Sequence, residues 1–399
     1  MTDQTYFRKG FGLKREIEGE LAADYHSRLV DRIRAGGHVL VAGDITIRLA
    51  KEFGFCYGVD RAVEYAYETR ARFPEQRVVL LGEIIHNPHV NEKLESMGVF
   101  ILRPDPDGGF DFSDLTSEDV VLVPAFGVRV DDFQKLRSIG CPVVDTTCGS
   151  VLNVWKRVES YARDGFTAVV HGKHFHEETK ATASQVTKYA GGKYLIVRDM
   201  AEAELLCRFI RSQASTEAMQ EAFGHKVSPG FAFDCDLERV GLANQTTMLA
   251  SESMDIALKV GEAMAERFGQ DRLAEHFRSF GTICSATQER QDAVLELIDE
   301  PLDAMLVIGG YNSSNTNHLA KICARKVTTY HISDAACIDV DRVAIRHKPT
   351  DGAAEAEVTG WLDGVGRIGI TAGASTPNNK IGEAIERVLA TVGLPVPAE

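Results

Sequence analysis

Short apolar, largely β-branched runs alternate with stretches of helical periodicity along most of this 399-residue chain. The runs are Val78 to Ile85, Val120 to Pro124, Ala168 to Val170, Ala304 to Ile308 and Ile368 to Thr371. A chain patterned in this way is constrained to an α/β fold, because the helical stretches serve as crossovers between parallel strands. The length allows two or three domains at roughly 150 residues each. Residues 1–52 read as an N-terminal extension, with a helical stretch from Glu18 to Arg34 and an alternating strand from Asp44 to Leu49. Residues 207–238, of mixed polar character and carrying Ser228-Pro-Gly230, read as an insertion or lid-like excursion.

Three cysteines sit where an apolar run ends in a small-residue turn and a helical pattern begins: Cys56, Cys148 and Cys284. Helix spacing follows the first in Val59, Ala62, Val63 and Ala66, and the second in Val151, Val154, Trp155 and Val158. After Cys284, Ser285 and Gln288 have capping-box spacing. A thiol beside a helix N-terminus is placed to ionise and bind metal. Three thiolates hold a metal cluster and leave one metal atom open for chemistry, whereas four protein ligands close a site. The other five cysteines, Cys141, Cys207, Cys235, Cys323 and Cys337, lack this context and are expected to be packing residues.

Composition excludes several classes. The net charge of -14 argues against extended binding to nucleic acid, which is carried by Lys and Arg. No apolar run approaches a membrane span, and the first residues lack a signal core, so the chain is expected to stay in the cytoplasm or to arrive already processed. Eight irregularly spaced cysteines without a secretion signal read as reduced thiols or metal ligands.

Polar clusters follow several of the apolar runs, where α/β proteins place ligand groups. His171, His174 and His176 lie with Glu177 and Glu178 in one such cluster, and three closely spaced histidines raise the possibility of a mononuclear zinc site. His86 precedes Asn87-Pro88 at another strand end. The loops Gly309-Gly-Tyr-Asn312-Ser313-Ser314-Asn315 and Thr371-Ala-Gly-Ala-Ser375 combine glycine, hydroxyl and amide groups with a helix start, the ingredients of phosphate capture. Thr376 reads as an N-cap with Pro377 at the first helical position, leaving Ser375 to donate to a ligand.

Taken in order, Phe55-Cys56-Tyr-Gly-Val, Glu83-Ile-Ile-His86-Asn, Asp145-Thr-Thr-Cys148, His176-Glu-Glu178, Gln245-Thr246-Thr247, Ile283-Cys284-Ser-Ala-Thr287, Asn312-Ser-Ser-Asn315 and Thr371-Ala-Gly-Ala-Ser375 resemble the 4-hydroxy-3-methylbut-2-enyl diphosphate reductase (LytB/IspH) family, in its longer cyanobacterial and plastid-type branch. The resemblance runs from about Phe53 to the end. It implies a trefoil of three α/β lobes, at 53–147, 148–283 and 284–399, around a 4Fe-4S cluster held by Cys56, Cys148 and Cys284. It further implies that Glu178, Thr246 and His176 are catalytic. His86, His176, Thr246, Asn312, Ser313, Ser314, Asn315 and Ser375 would bind substrate. The implied reaction is reductive removal of the allylic hydroxyl to give isopentenyl and dimethylallyl diphosphate, the last step of the non-mevalonate pathway. The chain has no Gly-x-Gly-x-x-Gly nicotinamide fingerprint opening a βα unit, so ferredoxin or flavodoxin is the expected electron donor. The expected assembly is a monomer or homodimer.

Two positions depart from the family pattern. Phe126 stands where many bacterial members have a diphosphate-binding histidine, with Lys173 expected to supply charge instead, and Gly149 stands where a proline usually follows the second cysteine. Three other readings are weighed against the reductase. A quinolinate synthase-like enzyme shares three lobes and an open-iron cluster but needs no diphosphate loops. A non-catalytic iron-sulfur sensor would not need Glu178 and Thr246. A zinc hydrolase would be built on His171, His174 and His176.

Overall fold

A computed structural model describes residues 5–105, 108–281 and 283–397. The chain divides into two compact units, each drawn from several segments: one from residues 1–9, 73–84 and 98–284, the other from 10–72, 85–97 and 285–399.

The first unit contains two parallel sheets. One runs, in spatial order, Tyr6–Phe7, Val143–Asp145, Val120–Val123, Val78–Leu81 and Val99–Leu102. The other runs Phe277–Ser279, Val240–Asn244, Thr167–His171 and Tyr194–Val197. Central strands Val78–Leu81, Val120–Val123 and Thr167–His171 are buried at every residue. That continuous burial is what a parallel sheet covered on both faces requires, and it explains their unbroken apolar sequence. The run expected to be a strand through Ile85 stops at Leu81. Ile84 and Ile85 are fully buried but lie outside the ladder. The expected lid-like excursion is instead core: Met219, Phe223, Phe233 and Leu237 pack with Leu195, Val197 and Leu206. Its polar residues are the outward faces of short helices such as Thr216–Phe223.

The second unit is built on a sheet ordered Thr329–Ile332, Ala304–Ile308, Arg367–Ala372, Ile45–Leu49 and Val39–Ala42. The first four strands are parallel, and the last closes an antiparallel hairpin. Gly43, at φ 53°, occupies the hairpin turn, where a two-residue loop needs a left-handed conformation. The alternating strand near the N-terminus therefore forms part of the same sheet as residues 304–372. A three-stranded antiparallel sheet (Ile338–Asp339, Ala344–His347, Ala356–Thr359) joins the same core through Ile338 and Ile345. The helical stretch expected from Glu18 to Arg34 is two helices, Lys14–Tyr25 and Arg28–Ala35. Ser27 separates them by accepting the Val30 N–H as an N-cap. Among the described residues no helix is long and apolar enough to cross a membrane.

Candidate functional site

All three cysteines singled out in the sequence immediately precede helices: Tyr57–Arg72, Gly149–Arg163 and Ser285–Leu297. None of them forms a disulfide among the described residues and none is fully buried, whereas Cys141, Cys207, Cys323 and Cys337 are buried as expected of packing residues. Cys235 departs from that expectation, being exposed on the short helix Phe233–Asp236.

In the first unit, strand Thr167–His171 delivers the histidine cluster and strand Val240–Asn244 delivers Gln245 and Thr246. The two strands are paired in register up to Asn244 and His171, so the loops that follow emerge side by side. The Gln245 side-chain oxygen accepts from the Lys173 N–H (3.2 Å) and the Thr179 hydroxyl (3.1 Å), which locks the loops together. His176 is the N-cap of helix Glu177–Ser184, its Nδ1 accepting the Glu178 N–H at 3.2 Å. This bond assigns the lone pair to Nδ1 and the ring proton to Nε2. Phe126 meets the His176 ring edge-on, with centroids 5.8 Å apart.

Glu178 is 1% exposed, and its Oε1 accepts the Thr246 N–H at 2.6 Å. The Thr246 carbonyl in turn accepts the Cys284 N–H at 3.3 Å. Thr246 thus bonds through its N–H to a buried acid and through its carbonyl to the N–H of a candidate metal ligand. Cys284 Sγ receives the Ser150 hydroxyl at 3.3 Å. Burial pushes the Cys148 thiol above its ordinary range, helped by nearby Cys284, while the Ser150 and Val151 amides oppose the shift. In the metal-free protein, burial outweighs the helix N-terminus at this cysteine. The Asp145-Thr-Thr segment before Cys148 is held by Thr146, which donates to the Val123 carbonyl at 2.7 Å, and by Asp145, which accepts the Thr147 N–H at 3.0 Å. Tyr6, on the N-terminal strand, donates to Asp145 at 2.6 Å. A Cβ on Gly149 would meet nothing within 4 Å.

In the second unit, the Cys56 N–H donates to the Ala374 carbonyl at 3.2 Å, and the Ala374 N–H donates to Asn315 Oδ1 at 2.9 Å. Ser375 donates to the His86 carbonyl at 3.1 Å and is not left open for a ligand in the way expected. Helix Asn378–Thr391 starts after Pro377, and Thr376 donates to the Ile308 carbonyl and does not cap it. Ser313 is the N-cap of helix Ser314–Ala324, accepting from Thr316 N at 3.3 Å. A side chain on Gly310 would come within 3.0 Å of the His86 carbonyl and 2.9 Å of Asn312 Oδ1, so only glycine lets these loops approach. Asn315 is 2% exposed, and its Nδ2 has no partner among the described residues. An orphaned buried amide donor in a loop rich in N–H and hydroxyl groups is the signature of an oxygen-rich ligand.

Ser285 does not stand at the N-cap a capping box needs, being the first residue of helix Ser285–Leu297, and the Gln288 amide donates to Asp292. The zinc arrangement also fails: His171, His174 and His176 do not bring three ring nitrogens within 4.8 Å of one another. His171 bonds Ser253 at 2.8 Å and His174 packs on His225. The locking role of Gln245 was visible only as part of a polar triplet, and the edge-on contact of Phe126 had no sequence signal.

The chain belongs to the LytB protein family, which matches residues 47–389. Its relatives include 4-hydroxy-3-methylbut-2-enyl diphosphate reductases of Thermosynechococcus vestitus, 47% identical over 98% of this chain and 95% of the relative, and of Synechococcus sp. strain RCC307, 47% identical over 97% and 94%. A solved structure described as (E)-4-hydroxy-3-methyl-but-2-enyl diphosphate reductase, the terminal enzyme of the non-mevalonate pathway, covers 86% of this chain and 98% of its own at a TM-score of 0.52 and 28% identity. The Plasmodium falciparum reductase structure shares the fold, with a TM-score of 0.62 at 20% identity over 86% of this chain and 87% of its own.

Proposed function

We infer that this chain reduces 4-hydroxy-3-methylbut-2-enyl diphosphate to isopentenyl and dimethylallyl diphosphate, the final step of the non-mevalonate pathway. The observation that carries the reading is the bonded series from Glu178 through Thr246 to Cys284, which sets a buried acid beside a candidate iron ligand. Three incompletely buried thiols, each at the start of a helix, are a donor set suited to a 4Fe-4S cluster. The proposed ligands are Cys56, Cys148 and Cys284, and the cluster would supply the electrons and a Lewis-acidic iron. The lobes at 53–147, 148–283 and 284–399 and their trefoil arrangement belong to the same proposal, as does residence in the cytoplasm or plastid stroma.

Two electrons and two protons convert the allylic alcohol to product and water. Glu178, 1% exposed, is the proposed proton source. The Thr246 N–H fixes one Glu178 carboxyl oxygen, and the Thr246 hydroxyl is the proposed relay. His176 presents Nε2–H to an anionic oxygen while its Nδ1 stays committed to the helix cap. Asn315 Nδ2 donates to a diphosphate oxygen, and His86, Asn312, Ser313, Ser314 and Ser375 complete the proposed binding loops. Lys173 is proposed to add positive charge. The two electrons come from a protein donor such as ferredoxin or flavodoxin.

The experiment is anaerobic reconstitution with iron and sulfide, followed by product analysis by mass spectrometry. Four irons per chain and formation of both five-carbon diphosphates are expected. A loaded cluster that yields neither product would overturn the reading.

A further inference from the structure

Arg290 lies on helix Ser285–Leu297, which begins one residue after Cys284, and is 3% exposed. Its guanidinium makes four bonds, all to backbone carbonyls. Nη1 donates to Ala286 at 2.8 Å, Nη2 to Gly54 at 2.8 Å and Phe55 at 3.2 Å, and Nε to Gly54 at 3.2 Å. Gly54 and Phe55 are the two residues immediately before Cys56. A planar fork of donors suits this task, because adjacent carbonyls can be gripped at once from one rigid group.

Among the described residues the charge has no bonded carboxylate. The ionised groups that sense it are Asp60, one turn beyond Cys56 in helix Tyr57–Arg72, and Arg34, which donates to the Phe53 carbonyl at 3.3 Å. Burying a cation against neutral carbonyls alone is expensive. A leucine at this position would satisfy the helix and its core without that cost.

We propose that Arg290 is a positioning residue for the metal centre: it clasps the segment that presents Cys56 and places a fixed positive charge there, favouring the reduced cluster. This inference rests on the reductase reading in that it needs a cluster at Cys56. A buried positive charge raises a cluster's potential, since reduction adds an electron to an anionic centre.

The test compares Arg290→Gln and Arg290→Lys with the wild-type protein. Midpoint potentials come from redox titration followed by electron paramagnetic resonance, and Cys56 alkylation is timed by mass spectrometry in cluster-free protein. Arg290→Gln is expected to lower the reduced-to-oxidised ratio at the wild-type midpoint about tenfold, which is about 59 mV for one electron. Arg290→Lys is expected to keep the potential. Both are expected to speed Cys56 alkylation severalfold. An unchanged potential in Arg290→Gln at wild-type iron content, or unchanged alkylation in both variants, overturns the proposal. Should Arg290→Gln fail to fold, Asp60→Asn tests the charge with the clasp intact: a raised potential is expected, and no rise refutes it. A wild-type chain that accepts no cluster would instead sink the reductase reading, while Cys56 alkylation still judges the clasp.

Discussion

Asn315 allows two roles of one side chain to be separated. Its Oδ1 accepts the Ala374 N–H, whose own residue accepts the Cys56 N–H, while Nδ2 is buried without a partner. Replacing it with leucine removes both functions. The orphaned Ala374 N–H should then cost about 1–3 kcal/mol of stability. Asn315→Asp is nearly isosteric and keeps an oxygen for Ala374. Residue 315 is the second residue of helix Ser314–Ala324, where the helix dipole favours a carboxylate, so the aspartate should be ionised and the fold retained. What the aspartate loses is the donor. A hydrogen bond to a charged oxygen contributes about 1.5–3 kcal/mol, so substrate affinity should fall about 10- to 150-fold, and like-charge repulsion adds to that. Anaerobic titration calorimetry of the loaded protein, with thermal melts of each variant, reads both quantities. Asn315→Asp binding substrate within twofold of wild type, or losing as much stability as Asn315→Leu, would refute the assignment.

Three further outcomes follow from the same geometry. Glu178→Gln should keep the bond from Thr246 N and the cluster content yet lose about 10²- to 10⁴-fold in turnover; a smaller loss under steady-state assay would remove Glu178 as the acid. Burial lowers His171 and His331 to about 4, so both stay neutral in the folded chain at a pH where the unfolded chain binds protons. Their contribution is present above pH 6.5 and lost as pH falls from 6.5 towards about 4; urea midpoints that do not drop between pH 7 and pH 5 would contradict this. In cluster-free protein Cys148 should react with iodoacetamide more slowly than an ordinary thiol at pH 8 and speed up above pH 9, so a rate at pH 8 matching a free thiol would count against burial as the controlling effect.

Much of this was legible because the strands are parallel and buried on both faces. Val120–Val123 and Ala304–Ile308 could be read directly as apolar runs, and the turn after the second delivered Asn312. The cysteine turns were legible for the same reason, since each follows apolar sequence and opens a helix. Strand ends were harder: Ile84 and Ile85 are as apolar as any strand residue, but Gly82, at φ 72°, turns the chain out of the ladder. Residues 207–238 misled because their short helices show polar outer faces and bury only a few residues each. Arg290 was invisible, since an arginine on an amphipathic helix looks like a solvated surface charge, and only the carbonyls it meets reveal otherwise. Ser375 and Ser313 were recognised by type, but whether a hydroxyl bonds a backbone or a ligand depends on contacts far apart in sequence.

The most direct test of the central claim is anaerobic. The reconstituted protein is mixed with a reduced viologen dye, and dye oxidation is followed after 4-hydroxy-3-methylbut-2-enyl diphosphate is added. Oxidation that requires substrate, consumes two electrons per product and collapses in Glu178→Gln is the predicted result. No substrate-dependent oxidation from a spectroscopically intact cluster would contradict the account and move a non-catalytic iron-sulfur role to the front.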